Sequence, residues 1–109
     1  MFMKYILITI AFFVSFTISA QEYHISTVGF YNLENLFDTV NQENVRDSEF
    51  TPNGEKKWDS EKYQKKLDNM ARVISEIGVE KDPDGIDILG VSEVENINVL
   101  LDLTAQERI

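Results

Sequence analysis

Apolar and polar positions are patterned differently in successive stretches of the 109-residue chain, and each pattern predicts its own element. From Tyr5 to Ile18 almost every position is apolar, relieved only by Thr and Ser. Residues 25–33 are rich in β-branched and aromatic side chains, which predicts a strand. Residues 38–57 have no period and many Asn, Asp, Glu, Thr and Gly residues, so they read as a long loop. Loops beyond about 12–15 residues are uncommon and often act as lids or binding loops. In residues 60–77, Tyr63, Leu67, Met70, Ile74 and Ile77 recur at steps of four, three, four and three. That is one apolar stripe down a helix, with Asp59 or Ser60 to cap its start and Gly78 its end. Lys62, Lys65 and Lys66 fall off the stripe and read as a solvated face. Residues 81–85 form a turn by composition. Residues 86–96 open as an apolar run and end abruptly in two carboxylates and an amide, the pattern of a buried strand in a parallel or mixed sheet. Ile97, Val99, Leu100, Leu101 and Leu103 then begin a second helix, capped by Asn96 or Asn98.

The order strand, long loop, helix, strand, helix is an α/β plan, with a right-handed crossover if the strands are parallel. Trp58 is placed to pack the loop onto the body. Two strands cannot shelter both faces of a sheet, so the plan reads as an incomplete domain.

Candidate chemistry collects beyond the strand ends, where open α/β sheets bind their ligands. Glu93 lies two residues past Val91, where a side chain can leave the core and face a cleft. A carboxylate there suits a hard cation such as magnesium; equally, it suits a solvated acidic loop opening the next helix. Asn32, Glu34 and Asn35 form a second polar cluster at the end of the first strand, and single Asn residues there commonly just form turns. Asp47 and Glu49, in the loop, read as solvated. Asp82, Asp84, Asp87 and Glu93 echo a calcium loop, but Asp87 holds the sixth place, where Gly is required, and Gly85 is fourth.

Charge changes the picture. The net charge is −9, and Lys4 is the only charged side chain before residue 21, so the acidic excess lies wholly in residues 21–109. Such a surface repels phosphate backbones overall, and phosphate chemistry would need a metal or basic groups from elsewhere. With no cysteine, disulfides, thiolate metal sites and a lipidated cysteine anchor are excluded. Lys4, the apolar run and Ser19-Ala20 follow the order of a secretory signal peptide over residues 1–20, predicting a mature chain from Gln21 that is secreted or periplasmic. An uncleaved anchor is the alternative, although the run is shorter than the roughly 20 residues a spanning helix needs. After cleavage no stable membrane association is expected.

Two segments carry a resemblance: Phe30-Tyr31-Asn32-Leu33-Glu34-Asn35-Leu36-Phe37-Asp38 and Ile88-Leu89-Gly90-Val91-Ser92-Glu93-Val94-Glu95-Asn96. Together they resemble the endonuclease/exonuclease/phosphatase family of deoxyribonuclease I-like phosphodiesterases. Glu49-Phe50-Thr51-Pro52-x-Gly54 and Trp58 point to its secreted bacterial branch. The similarity covers about residues 27–103. It implies the N-terminal portion, residues 21–109, of a four-layer α/β sandwich. It also implies a hydrolase, using Mg²⁺ or Mn²⁺, that acts as a phosphodiesterase or endonuclease on nucleic acid. A phospholipid or a sugar phosphate is the alternative substrate. Carried over, Asn32 orients the site, Glu93 binds the metal and Glu34 is a further metal-associated acid; Glu95 and Asn96 belong to the motif without an assigned role. The family's later His, Asp and Asn residues have no counterpart here, and His24 precedes the first strand, where it reads as a tail residue. General acid–base help contributes about 10²–10⁴-fold, so this chain alone is expected to be nearly inert. A truncated inactive product or a binding module is the remaining alternative.

Overall fold

The computed structural model describes residues 3, 5 and 21–109; apart from residues 3 and 5, the expected signal peptide of residues 1–20 lies outside the described residues. Among these, no helix is long and apolar enough to cross a membrane. The elements are β1 (Val28–Leu36), a single 3-10 turn (Ser48–Phe50), α1 (Ser60–Glu76), β2 (Ile88–Val94) and α2 (Ile97–Thr104). The predicted order holds. The first strand begins three residues later than its composition suggests and ends three residues further on, because its bounds are set by pairing rather than by β-propensity.

The two strands are parallel neighbours, with Val28 opposite Ile88 and Asn32 opposite Ser92. The register then breaks: β1 advances from Asn32 to Leu36 while β2 advances only from Ser92 to Val94. The extra length of β1 is taken up at Glu34 and Asn35, both in the left-handed region at φ 50° and 58°. This bulge turns Leu33 and Leu36 to the same side, and both are completely buried.

That side is the core. Leu33 and Leu36 pack with Leu67, Met70, Ala71 and Ile74 of α1 and Val99 and Leu103 of α2. The predicted stripe therefore does face inward, with Tyr63 and Ile77 half-buried at its ends. Each buried Leu contributes about 1.5–3 kcal/mol by leaving water. The Asp59 carboxylate caps α1 by accepting from the Lys62 N–H at 3.0 Å. Gly78 reverses the chain after α1 at φ 84°, where a Cβ would sit 2.5 Å from Thr27 Cγ2; a side chain is doubly excluded there. Asn96 caps α2, its Oδ1 accepting from the N–H groups of Asn98 and Val99. The opposite face of the sheet is bare, with Val28, Phe30 and Ile88 each more than three-fifths exposed.

Candidate active site

Parallel pairing sets the ends of β1 and β2 side by side, so the two polar clusters that are far apart in sequence become neighbours. Asn32 Nδ2 donates to Glu93 Oε1 at 2.8 Å, and Asn32 Oδ1 accepts from the Glu34 N–H at 2.7 Å. Asn32 thus makes the local turn through its oxygen and reaches the other strand through its nitrogen. Glu93 and Glu34 are exposed, and Asn32 engages only one carboxylate oxygen of Glu93. Glu93 is itself left-handed at φ 57°. Left-handed backbone costs a residue with a Cβ about 1–2 kcal/mol. Strain gathered on Glu34, Asn35 and Glu93 is what functional sites characteristically store.

Lys66 joins the cluster, correcting its reading as part of a solvated face. Its ammonium donates to the carbonyls of Glu34 and, at 3.1 Å, of Asn35, and lies 5.8 Å from the centre of the Trp58 ring. Burial pulls its pKa below the ordinary lysine value, while the carboxylates of Glu34 and Glu93 pull the other way. Lys62 is similarly engaged, donating to the carbonyls of Lys56 and Lys57. The contacts are to main-chain oxygens, which side-chain periodicity cannot reveal.

A second group of carboxylates sits alongside and is internally committed. Glu95 Oε2 accepts from the Asp38 N–H at 2.9 Å, and Asn96 Nδ2 donates to Asp38 Oδ2 at 3.3 Å. Asp47, expected to be solvated, is only 1% exposed and accepts from the Gln42 N–H at 2.9 Å. The loop folds over it, pinned by Trp58 Nε1 donating to the Phe37 carbonyl at 2.9 Å and by the Phe37–Phe50 stack. Glu49 stays outside, 3.5 Å from Lys56. Two buried oxygens among these residues lack a partner, Asp47 Oδ1 and Glu95 Oε1. Burial, then the hydrogen bond to Asp47 and the charges of Asp38 and Asp47, raise the Glu95 pKa to about 7, against the lowering effect of its bond to the Asp38 backbone. Asp47 carries no sequence signal in an aperiodic loop; the aromatic Phe50 and Trp58, which pack against each other in the same loop, are the available clue that the loop is folded.

Beside Glu34 a groove of about 460 Å³ runs along α1, lined by Tyr31, Lys62, Lys65, Lys66 and Asn69 among others. Within the main cluster the donors left open are the exposed carboxylates of Glu93 and Glu34, the hard oxygen ligands that suit a magnesium-like cation keeping several waters. Among the described residues no three or more His, Cys, Asp or Glu side chains converge as a ready-made cage.

Residues 27–109 match the model of the Endonuclease/Exonuclease/phosphatase family. The chain belongs to that family. A two-stranded parallel sheet with its helices on one face is a part of the α/β domain such proteins build. The chain matches no curated protein and no solved structure at a significant level. Enzymes of this family are phosphoesterases and nucleases that generally use divalent metals.

Proposed function

We propose that this chain contributes the metal-binding side of a phosphodiesterase site, acting on nucleic acid outside the cytoplasm. The observation that carries the reading is the hydrogen bond between Asn32 and Glu93, which ties the two family motifs together across 61 residues of sequence. In this reading Glu93 is the principal ligand of Mg²⁺ or Mn²⁺, and Glu34 adds a second carboxylate. The cation, when bound, neutralises charge on the phosphoester and its transition state and acidifies water. Asn32 fixes the rotamer of Glu93 by holding Oε1, leaving the other oxygen to face the ligand. Export rests on the leader-like order of residues 1–20, and mass spectrometry of the secreted product, expected to begin at Gln21, tests it.

The decisive experiment is phosphodiesterase activity of the natural gene product on DNA and RNA, with and without Mg²⁺ or Mn²⁺. Glu93→Ala is expected to abolish it while leaving folding intact. Unchanged activity would remove Glu93 from the site.

A further inference from the structure

We infer that Lys66 is a positioning residue: it clamps the left-handed bulge of β1 and so aims Asn32 at Glu93. The inference rests on the metal-site reading above for its consequence, but its geometry stands apart from any metal. The strand register skips the bulge, so the ladder does not satisfy the carbonyls of Glu34 and Asn35, and such groups need a donor. Lys66 supplies it to both. Glu34 is thereby held through both of its adjoining peptides, its C=O by Lys66 and its N–H by Asn32 Oδ1. The same Asn32 amide then reaches Glu93 through Nδ2. An unbroken series of hydrogen bonds thus runs from α1, through the bulge, to the carboxylate at the end of β2. The ammonium lies over the Trp58 ring at 5.8 Å and the residue is half-buried, which favours one placement of the charge.

Charge alone and positioning predict opposite outcomes, which makes the inference testable. An ammonium near Glu34 and Glu93 repels a divalent cation, so a purely electrostatic role predicts that Lys66→Met tightens Mn²⁺ binding. A positioning role predicts weaker binding, by about 10–100-fold as for lost supporting partners of metal ligands. The full chain and its Lys66→Met, Lys66→Gln, Lys66→Arg and Lys65→Met variants would be compared by Mn²⁺ electron paramagnetic resonance titration. In parallel, NMR without metal would read the shift and exchange protection of the Asn32 side-chain amide protons. Expected is loss of the Asn32 signature and of affinity in Lys66→Met, recovery in Lys66→Arg, and no change in Lys65→Met, whose side chain is exposed on the same helix. If Lys66→Met fails to fold, the Arg and Gln variants decide: Arg must keep the signature and Gln must weaken it. An Asn32 signature indifferent to residue 66, or tighter Mn²⁺ binding in Lys66→Met, overturns the inference. Glu93→Gln in the same titration tests the metal reading separately. Mn²⁺ binding unaffected by that change would sink the metal site and leave the clamp to be judged on the NMR signature.

Discussion

Glu93 and Glu95 are two residues apart in one motif, yet they have opposite fates. Glu93 stands in solvent on strained backbone, with one oxygen spoken for and the other open. Glu95 is drawn inward against Asp38 and Asp47, where it anchors a loop. The left-handed turn at Glu93 separates them, by breaking the alternation that would have sent both to one side of the strand. An acid-rich motif can thus divide its carboxylates between an open, solvent-facing position and architecture within three positions.

The largest effect that would break this contrast is on metal affinity. Glu93→Gln should weaken Mn²⁺ binding by more than the ~10–100-fold expected of a merely supporting residue. Glu95→Gln should leave it largely unchanged, and a titration giving equal losses would erase the distinction. On stability the ranking reverses. Asp47→Ala strands the Gln42 N–H and empties a buried position, at a cost of about 1–3 kcal/mol, measurable as a lower Tm; Glu93→Gln should barely move it.

Acidity sharpens the same contrast. The pKa of Glu95 is raised in the folded chain from 4.5 to about 7. Its contribution is therefore fully present below about pH 4.5 and is lost as pH rises through about 7. Amide exchange in the loop should accelerate between about pH 4.5 and about pH 7 beyond its intrinsic rise, and Glu95→Gln, which imitates the protonated form, should flatten that excess. The smallest expected effect concerns strain. Glu93→Gly relieves the left-handed penalty but adds glycine's chain entropy, for a net gain of about 0.5–1 kcal/mol. A higher denaturant midpoint alongside lost metal binding would mark Glu93 as a residue kept for chemistry at the expense of stability.

The elements are legible in the sequence because their causes are local. The stripe from Tyr63 to Ile77 needs only a period, and the Asp59 and Asn96 caps need only a short polar side chain in the right place. The neighbourhood of Asn32 and Glu93 is legible through the two motifs and the expectation that ligand groups gather beyond strand ends. The bulge is not. Asn35 tolerates a left-handed backbone, but Glu34 and Glu93 give no such hint. Lys66 escapes a reading by periodicity because its partners are carbonyls created by that bulge. Asp47 escapes it because its burial comes from the folding of an aperiodic loop, in which it takes the Gln42 N–H and its carbonyl takes the Phe50 N–H.

Trp58 is the only indole in the chain, and it lies where the loop, α1 and the bulge meet. Its ring faces the Lys66 ammonium and its N–H holds the Phe37 carbonyl. The molecule thus carries its own optical probe: release of the loop or displacement of Lys66 would alter the electric field on the ring and shift its emission, with no label attached.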